Sequence, residues 1–512
     1  MSIHFLMIGE NTLWKKNFSL KLPNIYIPDP LNMLNRSTVK KNELLSLLIA
    51  FSTLFIFSCE KEDFVTDPSA KLSFSTDTVL FDTVFTEVGS VTKQFTVKNP
   101  QDKKIEISDI RLARGKSSNY RLNINGVQSN KMTDVELAGN DSMYIFVEVT
   151  VNPTNQNNPM VIKDSVVFET NSNTQNVKLV SWGQDVHRIN GEVIGTDTWQ
   201  ADKPYLIYNS ALVDTGATLT IEPGANIHFH RNSRFYVAGT VHADGTKENP
   251  IIFQGDRLGT DYEDVPGQWD GIWLMSGSKD NVMDYVEIKN AIIGLQVDTL
   301  GNSSAPTLSI SNSKIKHMTY AGIYAQGTNI KAYNCVIGNC GSFALALTLG
   351  GNYEFYHTTI GNYWYGSTRS TPSVILNNYY KDTNGNVITR GLEKAVFGNC
   401  IIYGNKESEI GFDEEPDENE TFNYTFDHNL LKMNPKIDTN NSHYNHIRLN
   451  KDPRFVSTNE HDLRLDTLSP AIDRGSDMYG QDYPFDIEGN SRISDEAPDL
   501  GAYERTPDNE NQ

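Results

Sequence analysis

The sequence predicts an all-β protein, a β-sandwich followed by a β-solenoid. Three observations carry this. Runs of period-two alternation begin at Lys71, and no long helical periodicity follows them. Clusters of Gly, Asn, Asp and Pro separate the runs. A pattern centred on isoleucine then recurs: Ile288, Ile315, Ile337 and Ile360 stand 27, 22 and 23 residues apart, and Ile402 takes the same role after an insertion. A single β-rich turn of this length cannot bury its own apolar face. Stacked turns bury one continuous column.

The N-terminal region comes first. Residues 1–32 have neither signal nor domain character, and Met33 reads as the better start. Residues 33–58 read as a signal peptide. Arg36, Lys40 and Lys41 precede an uncharged run from Leu44 to Ser58, which is too short to span a membrane comfortably. Ile56-Phe57-Ser58-Cys59 resembles the lipobox of bacterial lipoproteins. Glu60, Lys61, Glu62 and Asp63 are similar to the export signal of surface-displayed lipoproteins in some Gram-negative bacteria. The resemblance implies cleavage before Cys59, acylation of Cys59 and a place on the outer membrane, exposed at the cell surface.

Residues 59–70 read as a tether. Residues 71–186 read as an antiparallel sandwich built from "KLSFSTDTVLFDTVF", "SVTKQFTVKNP", "KKIEISDIRLA", "DSMYIFVEVTV", "KDSVVFETN" and "NVKLVSWGQ". The order F-x-V-x-N-P, then "DSMYIFVEVTVNP", then "DSVVFETN", resembles an immunoglobulin-like family that includes ciliary and centrosomal modules. It lacks a Cys-Trp-Cys core. This module carries no catalytic constellation and reads as a spacer.

Residues 187–505 form the repeat region, with 506–512 a disordered tail. "LTIEPGANIHF" and "GQWDGIWL" (Gly267–Leu274) are similar to rungs of the right-handed parallel β-helix family. The closing segment, about 450–505, resembles that of related surface proteins through Ser469–Asp473, Gly475, Asp486, Gly489, Arg492 and Asp499–Glu504. It is expected to cap the last rung, whose unpaired edge invites association. Asp473, Asp486 and Arg492 are then hydrogen-bonders of the cap. Gly294, Gly322 and Gly338 are expected at corners that need positive φ.

Composition narrows the function. There are 64 acidic against 44 basic side chains, a net charge of -20. Such a surface repels nucleic acid. Once Cys59 is set aside, Cys335, Cys340 and Cys400 are an odd number and make no disulfide scaffold. Buried free thiols, with one bridge at most, are expected.

Parallel β-helix enzymes act on polysaccharides, so catalysis needs a test. The N-T-D, D-D, G-H-G and R-I-K strings of the polygalacturonases do not occur, and neither does the calcium-binding carboxylate cluster of the pectate lyases. No catalytic residue and no metal site is predicted. Asp270, Asp284, Asp298, Lys289, Lys314 and His317 lie on neighbouring rungs and read as outer-face polar residues. His228 and His230 share a strand face without further ligands. "DEEPDENE" (Asp413–Glu420) is an acidic loop that lacks EF-hand spacing, a weak Ca2+ candidate at best. No other cofactor is implied. Asn384-Gly385 reads as a type I′ hairpin tip.

The best ligand candidate is the aromatic stretch containing Tyr353, Tyr356, Tyr363, Trp364, Tyr365, Tyr379 and Tyr380. Within it Tyr363, Trp364, Tyr365 and Arg369 are the candidate glycan contacts, because amphipathic rings stack on sugars. The expected function is non-catalytic glycan or surface binding by a lipid-anchored envelope protein. The alternatives are a polysaccharide lyase or glycoside hydrolase, and a structural envelope component. The expected partners are the membrane, through the lipid, and polysaccharide.

Overall fold

The computed structural model describes residues 64–153, 160–298 and 305–505. Cys59 and Glu60–Asp63 lie outside them. Among the described residues no helix is long and apolar enough to cross a membrane.

The N-terminal part is a sandwich of two five-stranded sheets. All strand pairs are antiparallel except Asn173–Gln184 with Thr78–Phe85, which run parallel. Alternation does what the sequence asks of it. In Ser142–Val149, Met143, Ile145, Val147 and Val149 point inward while Ser142, Tyr144 and Glu148 are exposed. Phe81, Phe95 and Phe168 fill the centre. The sandwich begins earlier than the expected tether boundary. Ala70 is buried, Val65 packs on the core, and the Val65 amide donates to the Lys104 carbonyl at 2.8 Å.

From His187 the chain winds into a parallel β-helix. Among the described residues twenty-six parallel strands stack, each pairing with strands at the same place in neighbouring coils and not with the next strand of its own coil. Each coil contributes to three faces. Sheet I contains Asn226–Phe229, Ile251–Gly255, Val286–Lys289, Lys314–Met318 and Val336–Cys340. Sheet II contains Arg234–Val237, Trp269–Leu274 and Ala291–Val297, and continues through the first halves of Ala321–Tyr333 and Phe343–Tyr356 to Val374–Asn377 and Ile410–Asp413. Sheet III contains Thr240–Asp244, Asn281–Asp284 and Leu308–Ser311, then the second halves of those two long strands and Leu392–Gly398.

The isoleucine column is in register. Ile288 faces Ile315, which faces Ile337, then Ile360, then Ile402. All five are fully buried, and each contributes about 1.5–3 kcal/mol through burial. Aromatic stacks run beside them: Phe229 on Trp269 (4.0 Å) and Phe355 on Phe397 on Phe426 (5.3 and 4.9 Å). Cys335, Cys340 and Cys400 are buried and free, and burial pushes each thiol up to about 12.

Three expectations are corrected. Gly294, Gly322 and Gly338 do not have positive φ. Glycine is required there by close approach: a Cβ on Gly338 would lie 2.0 Å from the Gly361 carbonyl oxygen, and one on Gly322 2.6 Å from that of Ala344. The left-handed corners are instead made by Tyr285, Asn312, Asn334, His357, Asn399, His428 and His446 between sheets III and I. Asparagine tolerates this conformation and its amide bonds to the next coil, as Asn334 Nδ2 does to Asn312 Oδ1 at 3.0 Å.

The second correction concerns the hairpin of Tyr379–Lys381 and Val387–Thr389. Of Asn384 and Gly385 only Gly385 has positive φ, so the tip is not type I′. Asp382 organises it by accepting from the Asn384 and Asn386 amides, both at 2.8 Å.

The third concerns the closing segment. It does not sit over the last rung but runs back along the side of the solenoid as a strap. Ser476 bonds Asn399, Phe485 bonds Asn334, and the Lys247 ammonium donates to the Glu488 carbonyl. The corner amides have bonding capacity beyond the ladder, and the strap uses it: Asn334 Nδ2 also donates to the Phe485 carbonyl, and Asn399 exchanges two bonds with Ser476. Arg492 is wholly buried and donates to Glu504, Asn334 Oδ1 and the Gly501 carbonyl, all at 3.1 Å. Asp486 accepts from the amides of Glu488, Asn490 and Glu504. The Asp473 amide donates to Asp499 at 2.8 Å.

Candidate functional site

Outward positions of a solenoid are ordinarily polar. On sheet II several of them are aromatic. The register Tyr236, Trp273, Gln296, Tyr324, Ala346, Ile375 runs up successive coils on the outer face. Coils repeat at the strand spacing, so Tyr236 and Tyr324 lie roughly 14 Å apart. The Arg234 guanidinium lies over Tyr236 and Trp273, at 5.9 and 5.5 Å from the ring centroids, and 3.8 Å from Asp270. Gln296 donates to Asp298 at 2.8 Å, and burial raises the Asp298 carboxyl above its ordinary value.

This face deepens into a cleft of about 260 Å³ lined by Tyr320, Tyr324, Phe343, Asn377, Tyr379, Tyr380 and Asp413, among others. Tyr320 and Tyr380 are 39% and 45% exposed. Tyr320 packs edge-on against Tyr324 (6.1 Å) and Phe343 (6.0 Å). The Tyr379 hydroxyl donates to Asp413 at 3.0 Å, and Asn377 donates to the same carboxylate at 3.1 Å. These bonds hold one wall rigid. Tyr379 and Tyr380 arrive on the hairpin inserted between two coils. A larger cavity of about 540 Å³ lies elsewhere, at the first coil, beside Trp199 and Tyr205. It lies where strand stacking starts.

The expected contacts fare differently. Tyr365 is 66% exposed, but Trp364 is buried and donates to Ser367 Oγ. Tyr363 packs edge-on against Phe455 of the strap. Arg369 is buried and forms a bidentate pair with buried Glu409, at 2.7 and 2.8 Å. The four therefore make no common exposed platform. Tyr353 is fully buried, and Tyr356 stacks under Tyr479 and Tyr483. Tyr379 and Tyr380, from the same stretch, do reach the cleft. Tyr320, Tyr324 and Phe343 were missed. Their signal was the alternation within "TYAGIYAQG" and its neighbour, legible only once sheet II is distinguished from sheet I.

The polar residues of neighbouring rungs are divided among the faces. Asp270 and Asp298 lie on sheet II. Asp284 ends a sheet III strand and accepts from Ser311 and Asn312. Lys289, Lys314 and His317 belong to sheet I. There Glu287 lies 3.1 Å from Lys316 and 3.9 Å from Lys289. Burial alone would raise Glu287, but these lysines override it and hold it below its ordinary value. His317 Nε2 lies 3.0 Å from Asp264, and burial brings His317 down to about 4. His228 and His230 go to different partners. His228 is buried against Phe85 of the sandwich (4.9 Å), and His230 bonds Asp256 at 2.7 Å. The acidic loop bonds its own surroundings, with Asp417 accepting from Thr389.

The fold class is thus a parallel β-helix carrying a sandwich. The family model described as "Pectate-lyase like beta helix domain" matches residues 191–293. No curated protein matches. Among solved structures, the ASH/PapD-like domain 7 of human CEP192 is 9% identical, covering 25% of this chain and 96% of that one, with a TM-score of 0.17. A family 123 glycoside hydrolase from Clostridium perfringens is 7% identical, covering 26% of this chain, with a TM-score of 0.18. The chain matches only 30% of that enzyme's length. The catalytic unit of a GH87 α-1,3-glucanase from Streptomyces thermodiastaticus is 11% identical over 66% of both chains, with a TM-score of 0.22. Likenesses of this size carry no functional argument.

Proposed function

We propose that this chain is a lipid-anchored envelope protein that binds glycan along sheet II without turning it over. The single observation carrying this is the half-buried aromatic row of sheet II and its cleft, where Tyr320 and Tyr380 are exposed. Flat amphipathic rings at coil spacing suit the apolar faces of successive sugars. The amides and carboxylates beside them suit the hydroxyls. The carboxylates of this face are already engaged, Asp270 with Arg234 and Asp413 with Tyr379 and Asn377. In this reading the sandwich is an immunoglobulin-like spacer. Cys59 carries the lipid, and Glu60–Asp63 direct the chain to the surface.

A polysaccharide panel tests the binding. Wild type should be retained, and Tyr320→Ala with Tyr380→Ala should weaken retention at least tenfold while leaving the fold intact. Unchanged retention would refute the site. Loss of lipid labelling and membrane association in Cys59→Ala tests the anchor.

A second reading rests on the Glu287, Lys289 and Lys316 cluster beside His317 and Asp264. The two ammonium groups would attract an acidic polysaccharide to this face, and elimination there would need Lys289, once deprotonated, to take the proton beside the uronate carboxyl and to return it to the leaving oxygen. New unsaturated ends, abolished by Lys289→Ala, would establish it over the first. Neither retention nor turnover would leave the structural role.

A further inference from the structure

Two successive coils near the C-terminal end of the solenoid turn their corners on histidine. Phe426 and Asp427 lie in register with Tyr444 and Asn445. The residues that follow, His428 and His446, therefore occupy the same corner one coil apart. Both have left-handed backbone, with φ of 52° and 51°. Their rings stack at 4.3 Å and 27°. The Asp427 carboxylate faces both: Oδ1 lies 2.8 Å from His428 Nδ1 and 3.6 Å from His446 Nδ1. Its other oxygen accepts from the Tyr479 hydroxyl at 3.0 Å.

We propose that Asp427, His428 and His446 form a binding site for a divalent transition metal of the zinc type. The three ligand atoms all lie within 4.8 Å of one another. Zinc bonds nitrogen and carboxylate oxygen at about 2.0–2.2 Å, so two ligands of a tetrahedral site stand roughly 3.4 Å apart. The observed separations of 2.8 and 3.6 Å straddle that value. The ion would replace the hydrogen bond between Asp427 and His428, and the exposed His446 ring would turn out of its stack on His428 to bring its Nδ1 lone pair, which lies in the ring plane, toward the ion. Two imidazoles and one carboxylate select zinc, nickel or copper over calcium, which wants six or more oxygens.

The surroundings agree. His446 is 72% exposed on its side chain, which leaves the fourth position open to water. Tyr479 orients the ligating carboxylate, as outer hydrogen bonds do in metal sites. Tyr479 belongs to the strap helix Asp477–Asp482. The ion would therefore join two coils to the strap near the end of the solenoid, where strand stacking stops. The site is independent of sheet II.

The test is titration of the metal-stripped full chain with Zn2+, with Co2+ as a spectroscopic probe. One equivalent should bind, raise the unfolding temperature and give tetrahedral Co2+ bands. His446→Asn is the decisive variant, because Asn312, Asn334 and Asn399 already occupy this corner with the same backbone. It should fold normally and lose at least tenfold in affinity, together with the Co2+ bands. Absence of uptake would overturn the proposal. So would uptake that His446→Asn and the double variant His428→Asn/His446→Asn leave unchanged.

Discussion

Arg369→Met should unfold the middle of the solenoid far more than an exposed arginine would. The guanidinium donates to both Glu409 oxygens and to Asn405, and to the carbonyls of Thr371 and Asn362. The two side chains are 1% and 0% exposed. Removing the cation strands a carboxylate that keeps only the Ser373 amide and hydroxyl and the Lys406 amide. Breaking a buried pair from one side costs about 3–5 kcal/mol, because the remaining charge is uncompensated. An exposed arginine would cost about 0.5 kcal/mol or less. The double variant Arg369→Met/Glu409→Gln removes the stranded charge and should recover much of the loss. Urea unfolding followed by tryptophan fluorescence measures all three. A single variant within about 0.5 kcal/mol of wild type would refute the reasoning, as would a double variant no better than the single.

Gly322→Ala places its Cβ 2.6 Å from the Ala344 carbonyl oxygen and 2.7 Å from Ile337 Cγ2. Overpacking of this kind costs about 1–3 kcal/mol, and an unchanged urea midpoint would contradict it. His228 is buried against the sandwich, and burial brings it down to about 4. The unfolded chain takes up that proton near pH 6.5. The stabilising contribution is therefore complete above that pH and is lost as pH falls toward 4, by up to about 3 kcal/mol. His228→Gln should flatten this part of the stability profile, and identical slopes would count against it. Cys335, Cys340 and Cys400 should resist a thiol reagent until urea unfolds the solenoid. Fast labelling of the native protein would show the coils open.

The candidate site was less legible than the fold. The aromatic stretch was visible, but periodicity does not say which residues of a coil face outward on which sheet. Trp364 and Arg369 look like ligand contacts in sequence and are buried. Glu409, 40 residues later, decides this by supplying the missing charge. Tyr320 and Tyr324 look like ordinary strand residues, and the flanking coils leave Tyr320 exposed and Tyr324 half-buried beside it.

Sequence by itself determined the sandwich, the stacked isoleucine column and the burial of the thiols, because each follows from local alternation or from a fixed repeat. Tertiary structure alone decided what the corners, glycines and closing segment do. Asparagine and histidine took the left-handed corners, glycine took the places where neighbouring coils come too close for a Cβ, and the closing segment became a lateral strap. Each outcome depends on what the adjacent coil presents, far along the chain. The meeting of His428 with His446 over Asp427 is of the same kind, since only stacking brings one corner over the next.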